Sequence, residues 1–322
     1  MRTPFIRTVL GDVRDVDGVI YAHEHLIIDS PLIADRFEHI HLYDVQAAID
    51  EVALCRAAGA GLMVDCMPAS AGRDVTRLAT ISERTGVAVV ATTGLHHDRY
   101  YGPSHWTNRV DVDELAALFV ADLTEGVDEF DYTGPIVRRT PHRAGVVKVA
   151  TSGGMPDSRD LRNLDAVAAA SVATGAPVIT HCEGGVGGVA QVARLVDKGV
   201  PPSSIVVGHV DKSDDPRYLL DLAGTGAVVE LDQSLRQRAL GESSVTVRSV
   251  LALVAGGFED QIVLGTDGAR RTLWTALGGE PGLAWLASDL PGVLAQAGVE
   301  QAVLDKVLHD NAVRALGWRA VR

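Results

Sequence analysis

The sequence predicts an α/β fold, a (β/α)8 barrel of the TIM type, and three observations predict it. Short runs rich in Val, Ile and Ala recur eight times along the chain. Longer stretches between them space their apolar residues as helices do. The runs themselves are apolar almost throughout, as parallel strands buried on both faces must be. An open doubly wound sheet shows similar local patterns, so the count of eight βα units is what favours a closed barrel. At 322 residues the chain exceeds the usual domain size, but α/β barrels reach this length as one unit, and no Pro/Ser linker or low-complexity stretch divides it. Residues 1–322 are expected to form one domain.

In chain order, the first strand is read at 18–22 (GVIYA), and a helix at 43–58 follows it. Strands at 61–66 (GLMVDC) and 87–93 (VAVVATT) come next, then a helix at 112–125. The fourth strand, 145–150, reads GVVKVA and leads to a helix at 163–174. The fifth, 177–181, ends PVITH and precedes a helix at 189–198, and the sixth, 205–209, ends IVVGH. The seventh is 227–231, followed by a helix at 244–255, and the eighth is 262–266. Several of these helices end near a glycine, as helix C-termini prefer. Two long segments, 95–108 after the third strand and 268–282 after the eighth, are read as βα loops, the part of a barrel that builds its active face.

Composition narrows the function. The chain is 47% hydrophobic and 22% charged, a globular balance. Its formal net charge of -13 disfavours nucleic acid, whose binding draws on Lys and Arg to release counterions. A small-molecule partner is expected instead. Cys55, Cys66 and Cys182 are few, scattered and odd in number, so no disulfide framework is implied and a reducing, cytoplasmic setting is expected. The N-terminus MRTPFIRTVLGDVRDVDG lacks the apolar core of a signal peptide, and no later segment stays apolar for the length of a membrane span.

The chemistry lies at the strand ends. His23 and His25 close the first strand, and residues two apart in a strand share a side, with Cα atoms about 7 Å apart. His181 closes the fifth strand, His209 the sixth, and Asp267 follows the eighth. Each alone has an ordinary structural explanation. Together, ionisable groups at the carboxyl ends of four apolar strands converge over one barrel mouth and form a metal-binding set. Lys148 lies inside the fourth strand, where a lone buried ammonium is costly. It either snorkels to a carboxylate at the rim or, as a neutral amine, adds carbon dioxide to become an anionic carbamate that bridges two cations.

The HEH, KVAT, TH and GH motifs and the final strand Asp, in this order and spacing, resemble the phosphotriesterase branch of the amidohydrolase superfamily over nearly the whole chain. The resemblance implies two divalent cations, with zinc the first expectation and cobalt, manganese or iron compatible with the ligands. One would be held by His23, His25 and Asp267, the other by His181 and His209, with carboxylated Lys148 between them. It further implies a bridging water that loses its proton and attacks a polarised carbonyl or phosphoryl centre, with Asp267 relaying the proton. The homodimer common in that family is likewise implied by resemblance alone.

That family takes phosphotriesters, simple lactones, carboxyl esters and lactones of phosphorylated sugars, so fold and metals do not choose the substrate. The segment GARRTLWTALGGEPGLAWL after Asp267 resembles the branch acting on phosphorylated furanose lactones, in which an Arg and an aromatic residue soon after the metal Asp bind phosphate. Arg271 and Trp274 are assigned to those places. Arg236 and Arg238 occupy the loop after the seventh strand, where that branch has a lysine this chain lacks. Tyr100, Tyr101 and Trp106 would line an apolar pocket if the substrate were an uncharged phosphotriester. Lactone opening is the preferred reading, with a phosphotriesterase or carboxylesterase as the alternative and a metal-containing binding protein without turnover as the alternative of another class.

Remaining motifs receive smaller parts. His39, His41, His142 and His309 are read as surface or loop residues, while His96, His97 and His105 stay open because their loop overhangs the site. GGVGG after Glu183 lacks the ending of a phosphate loop and is read as clearance near the metals. Cys182 alternates with His181 and is expected to pack outward under a helix.

Overall fold

The computed structural model describes residues 5–320. Eight parallel strands form one sheet in sequential order: β3 (Val19–Glu24), β4 (Ala60–Asp65), β5 (Ala88–Leu95), β6 (Ala144–Thr151), β7 (Val178–Cys182), β8 (Ile205–Gly208), β9 (Val228–Leu231) and β10 (Ile262–Leu264). An antiparallel hairpin that the sequence reading did not anticipate, β1 (Ile6–Thr8) and β2 (Gly11–Val13), precedes them. The barrel nearly closes where β10 meets β3, with the Thr266 and Asp267 amides both donating to the His23 carbonyl at 3.2 and 3.1 Å. A Cβ at Gly265 would lie 2.8 Å from the His23 Cβ and 2.9 Å from its backbone, so only glycine permits that approach.

Strand alternation sorts the core into two layers. Ile20, Ala22, Leu62, Val64, Val90, Val146, Ile179, Val206 and Val263 fill the barrel interior. Their neighbours Tyr21, Met63, Val89, Val147, Val178, Val207 and Leu264 face outward and pack under helices. Each strand is therefore apolar on both faces, which is why it reads as a continuous run. Cys182 belongs to the outer layer, its Sγ 3.4 Å from Gln191 of the covering helix.

The helices are α1 (Pro31–Arg36), α2 (Val45–Ala57), α3 (Val75–Thr85), α4 (Val112–Thr124), α5 (Ser158–Thr174), α6 (Gly188–Asp197), α7 (Pro216–Gly224), α8 (Ser234–Gln237), α9 (Val245–Ala255) and four short C-terminal pieces. Their ends follow capping chemistry: Asp44, Asp157 and Ser244 accept backbone amides at the starts of α2, α5 and α9, and Gly86 and Gly175 end α3 and α5 in the left-handed conformation. Helix α5 begins at Ser158 rather than at 163, because its charged first turn, SRDLR, masks the apolar period while Asp157 caps it. Between α4 and β6, a segment the sequence left unassigned is pinned by buried Arg73, whose guanidinium reaches Asp122 at 3.1 Å and Asp131 at 2.8 Å. Among the described residues, no helix is long and apolar enough to cross a membrane.

Candidate metal centre

The six expected ligands gather at the carboxyl ends of β3, β6, β7, β8 and β10. His209 Nε2 lies 2.7 Å from His181 Nδ1, Lys148 Nζ 3.2 Å from His23 Nε2, and His25 Nε2 3.3 Å from Asp267 Oδ1. His23 and His25 do not converge by simple alternation. The pairing of β3 with β4 is irregular between Tyr21 and Glu24, and β3 ends at Glu24. This break lets His23 join Ala22 on the inner side while His25 reaches the mouth from beyond the strand.

Outside the irregular strand end, backbone strain marks two of the ligands. His209 and Asp267 both take positive φ, 64° and 46°, where side chains other than glycine are uncommon. Such conformations cost of order 1–3 kcal/mol and persist where surrounding structure holds them. At His209 the hold is Asp232, which accepts the backbone amide at 3.0 Å and lies 2.8 Å from Nδ1 of the same residue.

Asp232 belongs to a set of buried carboxylates behind the histidines that the sequence reading missed. Glu230 Oε2 sits 3.0 Å from His23 Nδ1. Asp211 accepts the amides of Asp232 and Gln233, at 3.0 Å each, and so fixes the strand end that carries Asp232. Gly208 makes room for this layer, since a Cβ there would lie 2.5 Å from Glu230 Oε2. Carboxylates on one ring nitrogen leave the other to face the mouth, as outer groups do around ligand histidines. The signal was present in the sequence, because Glu230 interrupts an apolar run just as Lys148 does.

The electrostatics suit a bound cation. Burial, with Lys148 and His209 adding to it, holds His23 well below its ordinary range, and burial with His209 does the same to His181. Both imidazoles are thus neutral, with lone pairs to offer. Burial and then Asp232 push Glu230 well above the carboxylate range, a setting that a nearby positive charge would relieve. Burial works against ionisation of Asp267, but Arg236 and His209 outweigh it and hold that carboxyl well below its usual value. Lys148 is fully buried, and among the described residues no carboxylate oxygen lies within 4.0 Å of its Nζ. The rim-snorkelling explanation of Lys148 therefore fails. His23, His25 and Asp267 lie close enough together to hold one divalent ion, and nitrogen and carboxylate donors suit such a metal.

Over these residues opens a cavity of about 330 Å³ whose lining includes Ile28, Ile40, Met67, His96, Tyr100, Lys212, Arg236 and Arg270. Only part of the expected substrate set is here. Tyr100 lines the cavity, and Arg236 does so while bound to Asp267 Oδ2 at 3.1 Å and to the Thr266 and Asp267 carbonyls. Arg271 points away, donating to the His41 carbonyl at 2.9 Å and stacking on Tyr43. Arg270 faces the cavity in its place. Trp274 is buried and donates from Nε1 to the Gly268 carbonyl at 2.7 Å, which makes it the anchor of its loop. Arg238 pairs with Glu280 at 3.6 Å, outside the cavity lining.

Tyr101 is also buried, its hydroxyl donating to the Ala69 carbonyl and accepting the His96 amide at 3.0 and 2.8 Å. Trp106 donates to Ser70 and does not line the cavity. Of the histidines left open, His96 lines it, whereas His97 and His105 cap the turns after them. His39, read as a surface residue, is exposed but stands on the cavity rim. The expected lysine is absent after β9, yet Lys212, after β8, lines the cavity from the adjacent loop.

The model of the phosphotriesterase family matches residues 4–316. Two proteins described as phospho-furanose lactonases resemble the chain over almost its full length. That of Mycoplasmopsis synoviae is 29% identical over 99% of this chain and 93% of its own, and that of Mycoplasmopsis agalactiae 31% identical over 98% and 92%. The crystal structure of a lactonase from Listeria monocytogenes superposes with a TM-score of 0.88 at 26% identity, covering 98% of this chain and all of the other. With eight parallel strands, helices outside them and the ligand set at the strand ends, the chain belongs to the phosphotriesterase family.

Proposed function

We propose that this protein is a metal-dependent hydrolase that opens a lactone bearing a phosphate group. The observation that carries the phosphate is the pair Arg270 and Lys212. Both line the cavity above the ligand set, and neither has a carboxylate within 4.0 Å among the described residues. Two unpaired cations facing one small space favour an anionic group, and a guanidinium binds phosphate through two hydrogen bonds. An uncharged phosphotriester would make no use of them. The lactone is supported by the relatives' activity and by Ile28, Ile40, Met67 and Tyr100, which give the same cavity an apolar wall for a ring.

His23, His25 and Asp267 would hold one divalent ion and His181 and His209 a second, with Lys148, as a carbamate, reaching both. Zinc is the first choice, and cobalt, manganese or iron suit the same donors. When bound, such ions lower the pKa of water and polarise a carbonyl. The residues of the chain do the rest. Arg270 and Lys212 seat the phosphate so that the ring carbonyl lies over the ligands. Asp267, ionised and held by His25 and Arg236, takes the proton that water gives up as its oxygen bonds to the carbonyl carbon. The ring C–O bond then breaks, and the departing oxygen receives that proton.

A kinetic comparison of a phosphorylated furanose lactone, its dephosphorylated form, an alkyl lactone and a phosphotriester tests this reading. The expected order puts the phosphorylated lactone first in kcat/KM, by about 100- to 10,000-fold over the dephosphorylated form, the value of two charge-assisted contacts. Equal rates with and without phosphate would remove the role of Arg270 and Lys212. Absence of turnover on all four substrates by the metal-loaded protein would favour a binding protein.

A further inference from the structure

Besides Asp267 and the carboxylates buried behind the histidines, Glu183 touches a candidate ligand histidine, and it does so from the open side of the site. Glu183 follows β7, its side chain 38% exposed. Its Oε2 lies 3.0 Å from His181 Nε2, and its Oε1 lies 2.7 Å from Arg99 Nη2. Arg99 sits in the turn Asp98–Tyr100 of the long segment after β5, where its Nε also approaches His97 Nδ1 at 3.4 Å. The next residue, Tyr100, packs edge-on to His96 at 4.3 Å, and the His96 ring lies 5.2 Å from that of His181. The turn overhanging the cavity is thus joined to His181 by the Arg99–Glu183 ion pair and by edge-on and tilted ring contacts.

The chemistry of the pair is directional. Glu183 Oε1 accepts from the Arg99 guanidinium, and its Oε2 faces His181 Nε2 within hydrogen-bond distance. A carboxylate paired with a guanidinium only accepts, so in a metal-binding His181 the ring proton belongs on Nε2, and Nδ1 is left facing His209 and the centre of the site. Removing the carboxylate would free the ring to turn or to change tautomer. Removing the guanidinium would leave His181 in place but release the turn.

We propose that Glu183 is a positioning residue that sets the tautomer of His181 for metal binding and, through Arg99, ties the 96–108 segment to the metal centre, so that metal loading orders that segment. This rests on the reading of the site as a metal centre and goes beyond it.

The test uses the full-length chain, stripped of metal and titrated with Zn2+ against a chromophoric chelator, with hydrogen exchange of residues 96–108 followed before and after loading. Wild type is expected to bind Zn2+ and to gain protection in 96–108. Glu183→Gln, which is isosteric and half exposed, is expected to lose about 10- to 100-fold in Zn2+ affinity, the usual effect of removing such a partner, and to lose the metal-dependent protection. Arg99→Met is expected to lose the protection while losing less Zn2+ affinity than Glu183→Gln, since only the coupling to the segment is removed and the His181 contact is kept. Wild-type affinity in Glu183→Gln, or metal-dependent protection retained in Arg99→Met, would overturn the proposal. Failure of the wild type to bind Zn2+ would instead sink the metal-centre reading beneath it.

Discussion

His23 and Glu230 meet inside the barrel, Nδ1 to Oε2 at 3.0 Å, with both side chains fully removed from solvent. The contact crosses from β3 to β9, strands that are not neighbours in the sheet, so it exists only because the barrel curls round. It leaves Nε2 of His23 pointing at Lys148. Glu230→Ala should therefore act twice. The unpartnered ring nitrogen would destabilise the fold by about 1–3 kcal/mol, and loss of ring orientation would weaken metal binding by about 10- to 100-fold. Urea unfolding of the metal-free protein and chelator competition read these effects separately.

Lys148→Ala should abolish hydrolysis and lower bound metal below two ions per chain, since the proposed carbamate would be lost as a ligand to both ions. Adding bicarbonate with a short carboxylic acid should restore part of the activity by filling the vacated place. Full activity with two metals retained, measured by elemental analysis, would rule out the carbamate.

Adjacent arginines separate binding from loop structure. Arg270→Met should raise KM for a phosphorylated lactone by about 10- to 100-fold, the worth of one charge-assisted contact, with little effect on the dephosphorylated form. Arg271→Met should leave kcat/KM within a few-fold of wild type, because its guanidinium is spent on the His41 carbonyl and the Tyr43 ring. The reverse result would restore the assignment made from sequence.

Asp29 offers a pH test away from the metals. It accepts from His41 at 2.9 Å and from Arg77 at 2.8 Å, joining the loop after β3 to α3. Burial works against its ionisation, yet those two partners hold its carboxyl below the ordinary range. A folded-state pKa below the unfolded one means that the stabilisation is complete above about pH 4 and fades as pH falls through the folded value. Asp29→Asn should be less stable than wild type at pH 7 by under about 1 kcal/mol, given how exposed the pair is. The difference should shrink towards pH 3, and denaturant melts at the two pH values would show it.

The barrel and the gathering of its strand-end residues were legible in the amino-acid sequence for a local reason. A strand buried on both faces must be apolar along its length, so the polar residue at its end stands out, and all parallel strands of a barrel end on the same side. His23, His25, His181, His209 and Asp267 could therefore be brought together without coordinates, and Lys148 marked itself by interrupting such a run. What only the tertiary structure decided lies where no period constrains direction. In the loop after β10, nothing in the order of Arg270 and Arg271 says which faces the cavity; the Tyr43 ring and the His41 carbonyl, brought in from the loop after β3, draw Arg271 outward and leave Arg270 inside. Likewise Lys212 replaces an expected cation from a neighbouring loop, and Glu230 and Asp232 find His23 and His209 only across the closed barrel. Strand ends are aligned by the sheet itself, whereas loop side chains take their directions from residues far away in the chain.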